Sequence, residues 1–302
     1  MPRDETTPPV TKRNLVSPGF GWLNSLCRAS LDAQGAEPAA IGTAIGQACL
    51  NLRVERPRFL LVPEFTELEW TIKPLLEEWA EVASYDSPGV GVEFVSDSEL
   101  ERIAADGAHR RALIAERGLV EASRRGWERF IVVSDSGGNH AACRLASARP
   151  NAVQAMAFGH ACLSLESEGE RAPINAEVRS AMERLVGQDR EQFVRHALTQ
   201  LTGGSYDEGL ANHILERVPM KLLTRAWFQE SRDPEPADRL IRDLDFPLLF
   251  VKHEGCLLYT DEGFEDAAAA MPRAQTASVA DKPSVSAEFA DLLRDFCESS
   301  LS

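Results

Sequence analysis

The sequence has little that would commit it to metal, nucleotide, membrane or disulfide chemistry. Its six cysteines, Cys27, Cys49, Cys143, Cys162, Cys256 and Cys297, are scattered and never fall in a CxxC spacing. Neither a disulfide framework nor a zinc site is implied, and buried free thiols in a reducing compartment are expected. No P-loop, GxGxxG, HExxH or EF-hand loop is present, so no cofactor and no metal are expected. The longest uncharged stretches, residues 39–52 and 152–165, contain polar groups and glycines and are too short to span a bilayer. Residues 1–14 have no apolar run and read as a flexible arm and not a secretion signal; a cytoplasmic location is the expectation. Basic charge is also scarce, with 32 Lys and Arg against 47 Asp and Glu and a formal net charge of −15. That field repels polyphosphate backbones and anionic membrane surfaces, so nucleic acid and membrane are not expected as partners. Finally, none of the six histidines lies beyond residue 253.

What is present suits a globular protein. Apolar residues make up 44% and charged residues 26% of the 302, enough for a sizeable core. Residues 15–52 read as weakly helical, with Gly35 as a C-cap. "RFLLVPEF", bounded by Pro57 and Pro63, has the short apolar run of a buried strand. A helix follows, with Leu68, Ile72, Leu75, Leu76 and Trp79 at three- and four-residue spacings; Pro74 must kink it or mark its first turn. "EVASYD" is a second strand, stopped by "DSPGVG". Residues 97–125 read as helix, with Leu113, Ile114, Leu119 and Val120 turned inward. Phe130 to Val133 make a strand, Gly137 and Gly138 a tight turn, and Ala141 to Ser147 a helix. "NAVQAMAFGHACLSL" supplies the next strand, residues 166–245 a helical insertion, and "FPLLFVKHEG" a buried strand again. "DEGFEDAAAAMP", "AQTASVA" and "SAEFADLLRDFCES" close the chain as helix, weak strand and helix, the last with Phe289, Leu292, Leu293 and Phe296 on one face. Strands alternating with helices predict an α/β fold, a mostly parallel sheet covered by helices on both faces, because parallel neighbours need crossovers and crossovers prefer to be helical. The tryptophans Trp70, Trp79, Trp127 and Trp227 read as packing residues.

The chemistry concentrates in "SDSGG", Ser134 to Gly138, which fits small-x-nucleophile-x-small between a strand and a helix. A nucleophile on so sharp a turn sits in strained backbone space, and side chains two residues away would collide with it. Ser136 is the residue that this register exposes. The rival register makes Asp135 the nucleophile but puts the bulky Val133 in a small-residue slot.

From Arg58 to about Glu298 the order of segments resembles the α/β-hydrolase superfamily, particularly its cap-bearing esterase and lyase-like members. "FLLVPEFTELEW" looks like the strand and oxyanion loop, "SYDSPGVG" the following turn, and "VVSDSGGNHAA" the nucleophile elbow. "FPLLFVKHEGCLLYTDE" looks like the acid-bearing loop and "ADKPSVSAEFADLLRDF" the closing His loop and helix. The expected organisation is a core of residues 15–165 and 246–302 with a cap inserted at 166–245, the resemblance itself beginning at Arg58. The resemblance implies backbone oxyanion donors at Phe65 and Gly137.

The catalytic residues depart from that pattern. The superfamily's order is Ser, then Asp or Glu, then His, and the His removes the serine proton. Here the late His position falls at Asp281 or Lys282, the acid position at Cys256 with Glu254 and Asp261 nearby, and the oxyanion-loop His-Gly at Pro63-Glu64. A carboxylate at Glu64 opposes a developing oxyanion unless it points away or is protonated. A migrated base is then required. His253 and His160, near the carboxyl ends of two strands, are the candidates; Glu254 and Asp261 could orient His253, whereas His140 points along its helix. Lys282 would serve only if desolvation lowered its pKa.

Two readings stand side by side. In one, the chain is an atypical hydrolase or related enzyme of a small ester, thioester or lactone, with Ser136 as nucleophile and His253 as base. In the other, it is a non-catalytic relative that keeps a pocket or surface for a small-molecule ligand or a protein partner. An imidazole nitrogen within hydrogen-bond reach of the Ser136 hydroxyl separates them.

Overall fold

The computed structural model describes residues 56–91, 95–161, 180, 184–185, 189–202, 206–223, 237–254, 261–271 and 273–301. All of these fall in one compact unit, Arg56–Ser302. The expectations for residues 1–55, Cys162, the 166–170 run, Trp227 and Cys256 lie outside the described residues.

Six strands form one sheet in the order β2-β1-β3-β4-β5-β6, and every pair is parallel. The strands are β1 (Arg58–Val62), β2 (Glu81–Ala83), β3 (Phe130–Asp135), β4 (Val153–Gly159), β5 (Leu248–His253) and β6 (Ala274–Val279). Between and after them run α1 (Glu67–Glu77), α2 (Asp97–Ala105), α3 (Gly107–Arg124), α4 (Gly138–Ala148), α5 (Arg190–Thr202), α6 (Glu208–Arg217), α7 (Ala237–Ile241), α8 (Asp261–Ala270) and α9 (Ala287–Ser300). The strand order doubles back on itself, with β1 and β2 on one side of β3 and β4, β5 and β6 on the other. That reversal opens a crevice at the carboxyl edge beside β1 and β3.

The sheet is covered on both faces, and strand alternation decides which residue goes where. Phe59, Leu61, Ile131, Val133, Leu249 and Val251 pack under α1 and α9, whose Leu68, Ile72, Leu76, Phe289, Leu293 and Phe296 recur at helical spacing. Leu60, Val62, Val132, Met156, Phe158 and Phe250 face the opposite way, toward Ile114, Ala141, Ala142, Leu145 and Ile241. A third apolar cluster joins Phe65, Val90 and Ile103 to Phe193, Leu198, Leu210, Ile214 and Leu222, from the helices that follow β4. Beside it, Arg217 pairs with Asp86, and the Trp70 indole N–H donates to Asp207 at 3.1 Å. Among the described residues no helix is long and apolar enough to cross a membrane.

Several local expectations are corrected. Residues 97–125 are two helices, because the Asp106 carboxylate accepts from the His109 N–H and starts a new one. Val120 is 61% exposed; the buried positions of α3 are Arg110, Ile114, Ala115, Gly118 and Ala122, a mostly small face that lets α4 approach closely. Pro74 lies inside α1 and not in its first turn. β3 runs two residues beyond Val133, to Asp135, and α4 begins at Gly138, so the turn between them is tighter than the sequence suggested. Trp127 is buried, whereas Trp70 is exposed and stacks against His213 with ring centroids 4.9 Å apart.

Candidate functional site

The site lies at the carboxyl edge of the sheet, where β1, β3, β4, β5 and β6 deliver Glu64, Ser136, His160, His253 and Lys282. Among the described non-glycine residues, Ser136 and His160 hold positive φ, 50° and 46°. Such conformations are unfavourable by about 1–3 kcal/mol each and persist only where neighbours enforce them. Here Asn139 does so for both. Its amide donates to the carbonyls of Gly159 and His160 at 3.0 and 2.9 Å, while its oxygen accepts from Ser134 Oγ at 2.8 Å. The Asn139 N–H closes onto the Ser136 carbonyl at 3.1 Å, and the Ser136 N–H donates to Gly159 O at 3.1 Å. The sharp conformation therefore belongs to Ser136, and Asp135 is the last residue of a regular strand.

Gly138 shows why the turn needs small residues. A Cβ there would lie 2.8 Å from the Val62 carbonyl oxygen and 3.2 Å from the Glu64 nitrogen, both backbone atoms that cannot swing aside. Gly138→Ala is accordingly expected to destabilise the fold by about 1–3 kcal/mol, measured by urea unfolding. An unchanged midpoint would show that β1 gives way.

Asp135 sits at the centre of the polar contacts. It is 5% exposed, and its two oxygens face Lys282 Nζ at 3.3 Å, His160 Nδ1 at 3.2 Å and Ser136 Oγ at 3.4 Å. Burial by itself pushes a carboxyl up, but the Lys282 ammonium and the His160 bond outweigh it and hold Asp135 well below the usual carboxylate range. Lys282, 4% exposed, is the mirror case. Burial alone would lower it, yet Asp135, with Glu67 and Glu64, holds it above the ordinary lysine value. An ammonium in that state has no lone pair to offer, which corrects the notion of Lys282 as a desolvated base.

None of the six histidines, all described, hydrogen-bonds to Ser136. The bond of the Ser136 hydroxyl runs to Asp135, too weak a base in this setting to activate it. His253 stacks edge-on to His160 with ring centroids 5.4 Å apart, and its Nδ1 is buried without a hydrogen-bond partner. Burial, with His160 beside it, lowers its pKa. Glu254 is exposed, makes no hydrogen bond to His253 and donates its backbone N–H to Val279 O at 2.9 Å. His253 and Glu254 thus form neither a base for Ser136 nor a pair. The role expected of Cys256 falls outside the described residues.

The loop after β1 closes onto the elbow from the other side. The Gly137 N–H, at the mouth of α4, donates to Glu64 Oε2 at 3.1 Å. The Glu64 carboxyl lies flat enough on Gly137 that a Cβ there would collide with it. Burial raises the pKa of Glu64, and Arg110 acts in the opposite direction. Arg110 and Ser87 fix the loop by donating to the Glu64 carbonyl, Ser87 at 2.8 Å, and Phe65 tucks its ring under the Arg110 guanidinium, 4.7 Å from centroid to Cζ. Asp135, Asn139 and Arg110 as structural partners escaped the sequence reading. The only available signal was that Asp135 and Asn139 are polar residues within the elbow segment; nothing along the chain pointed to Arg110. A cavity of about 10 Å³, room for roughly one water, remains between Pro63, Glu64, Glu67, Asp135, Ser136, Lys282 and Ser284. Among the described residues no group of His, Cys, Asp and Glu is placed to hold a metal ion.

A parallel sheet of this order, clad on both faces and carrying a positive-φ serine between β3 and α4, is the α/β-hydrolase fold. Solved structures share it. The chain is similar to VinJ (TM-score 0.65, 14% identity, covering 83% of this chain and 93% of that one). It is also similar to an esterase from Rhodococcus sp. ECU1013 (0.60, 20%, 81% and 91%) and to a hydrolase from Oleispira antarctica (0.60, 13%, 81% and 92%). No family model matches the sequence, and no curated protein matches it significantly.

Proposed function

We propose that this hydrolase-fold chain does not run a serine acyl-transfer cycle and that it works by binding, with the elbow kept as the floor of a ligand site. The observation that carries the reading is the bond from the Gly137 N–H to the Glu64 carboxyl. The donor that would stabilise a tetrahedral oxyanion is engaged by an internal acid, where an oxyanion hole needs a free N–H. The protonated Lys282 at the position of the late histidine supports the same reading, since loss of the base leaves only a small residual rate. The packing of Phe65 against α5 and α6 supports residues 166–245 as a cap over this edge. A small molecule is the proposed ligand, with a protein partner as the alternative and a cytoplasmic setting.

One observation favours the rival reading of an atypical esterase with Ser136 as nucleophile: the strained serine conformation is kept, and a discarded elbow no longer needs it. A serine-reactive phosphonate decides between them. At neutral pH the wild type and Ser136→Ala are both expected to stay unlabelled, by intact-mass spectrometry. Labelling of the wild type that disappears in Ser136→Ala would establish an activated nucleophile and end the binding-only proposal.

A further inference from the structure

We propose that α6 is held against α1, beside the site, by an acid-released latch: neutral His213 stacks on Trp70, and protonation of His213 lets α6 leave the core. The inference concerns access to the site and stands whatever the site binds.

The seam between α1 and α6 is fastened at both ends and in the middle. At the N-terminal end of α6, the Asp207 carboxylate caps the helix by accepting from the Gly209 N–H at 2.7 Å, and it also accepts from the Trp70 indole N–H at 3.1 Å. Trp70 lies so close that a Cβ on Gly209 would come within 2.7 Å of its ring. At the other end, the Arg217 guanidinium pairs with Asp86 in the loop after β2 and reaches Glu69 at 3.9 Å, while the Arg217 carbonyl accepts from the Gly91 N–H at 2.9 Å. Between these ends the His213 ring lies on Trp70, with centroids 4.9 Å apart and planes at 36°. Of these fastenings only the histidine is of a type that ordinarily changes charge between about pH 5 and 8.

The surroundings of His213 fit its neutral form. Its Nε2 is closed off from water and has no hydrogen-bond partner. In an imidazolium both ring nitrogens are donors, so the charged form would hold an N–H there with nothing to accept it. The charges around it are mixed. Arg217 and Glu216 lie on α6 itself, Glu69 faces it from α1 with Lys73 at 3.8 Å from that carboxylate, and Asp86 comes from the loop after β2. The basic residues of α5 are engaged elsewhere, Arg190 by the Leu215 and Val218 carbonyls and Arg195 by Glu191 and Glu208. Burial, with Arg217 beside the ring, outweighs the carboxylates and lowers the pKa of His213. A histidine whose latched pKa lies below the free value of about 6.5 favours the latched state above that value, and the advantage is lost as pH falls through it toward the latched pKa.

Release has a consequence at the site. Leu210 and Ile214 of α6 share an apolar cluster with Phe65, the neighbour of Glu64, so a departing α6 uncovers that wall.

The test is hydrogen–deuterium exchange of the full chain, read on peptides of α6, corrected for the intrinsic pH dependence of exchange and referenced to α9 of the core. Between about pH 7.5 and about pH 5.5, exchange in α6 is expected to rise by about three- to tenfold, the ceiling being about tenfold for each pH unit below the free histidine value. His213→Phe keeps a ring on Trp70 and removes the proton, and its α6 is expected to exchange at one rate across that range. A response of Glu69, Asp86, Asp207 or Glu216 to acid would persist in this variant. Exchange in wild-type α6 that does not rise with acid, or that rises as much in His213→Phe, overturns the latch. Should His213→Phe fail to fold, His213→Gln takes its place and also assigns the His213 ring protons for a titration by NMR. A midpoint at or above about 6.5 in that titration likewise overturns the proposal.

Discussion

Lys282→Met is expected to destabilise the protein by about 3–5 kcal/mol at neutral pH, because it leaves the Asp135 carboxylate as a buried charge without its ammonium. The methionine fills most of the lysine's volume, so lost packing adds little. Asp135→Asn in the same chain removes the stranded charge and should recover a large part of the loss, giving a coupling of about 1–3 kcal/mol in the double-mutant cycle. The pH dependence follows from the direction of the shift. The folded-state pKa of Asp135 is depressed, so its stabilising contribution is present above the unfolded value of about 3.9 and fades as pH falls toward the folded one. In Lys282→Met a main cause of the depression is gone and burial remains. The gap between variant and wild type should therefore be widest at neutral pH and narrow as the solution is acidified, read from urea midpoints across that range. A cost below about 1 kcal/mol, unchanged with pH, would make the pair equivalent to a screened surface ion pair and remove it as the centre of the site.

Phe158→Ala is expected to cost a similar amount, about 3–5 kcal/mol. Phe158 is fully buried on β4, directly opposite Phe250 of β5, with ring centroids 5.6 Å apart and planes at 74°. The pair combines a large buried area with edge-to-face geometry, and truncation leaves a hole in a close-packed layer. Val120→Ala, on the exposed side of α3, is the control and should stay within about 0.5 kcal/mol. A loss of under about 1.5 kcal/mol for Phe158→Ala would mean that the layer collapses to fill the gap. The effect should reach the site, since β4 ends in Gly159 and His160 follows it, the two residues whose carbonyls Asn139 holds.

These two experiments probe different parts of what the sequence disclosed. Phe158 and Phe250 were legible as core, because alternating apolar residues between turn signals declare a buried parallel strand locally. The elbow was legible for the same kind of reason: Ser134, Gly137 and Gly138 are neighbours along the chain, and their smallness follows from a turn that they build together. Val120 was misread because apolar character alone does not give the phase of a helix whose inward face is made of Ala and Gly. Lys282 was seen as a candidate base, but its pKa depends on Asp135, which is distant in sequence and was weighed only as a rival nucleophile. His253 shared this fate. Its place at the end of β5 was foreseen, and its ring then met His160 instead of Ser136.

By itself the sequence determined the alternation of strands and helices, the strained serine between β3 and α4, and the absence of a late histidine. Each of these is a matter of residue type and short-range spacing. Only the tertiary structure decided that the Glu64 carboxyl covers the Gly137 N–H and that Asp135 gathers Lys282, His160 and Ser136 around one buried charge. Those contacts join chain segments brought side by side by the packing of β1, β3, β4 and the loop after β6. The protonation states of Asp135 and Lys282 follow from burial and neighbouring charge, and neither is a property of any residue alone.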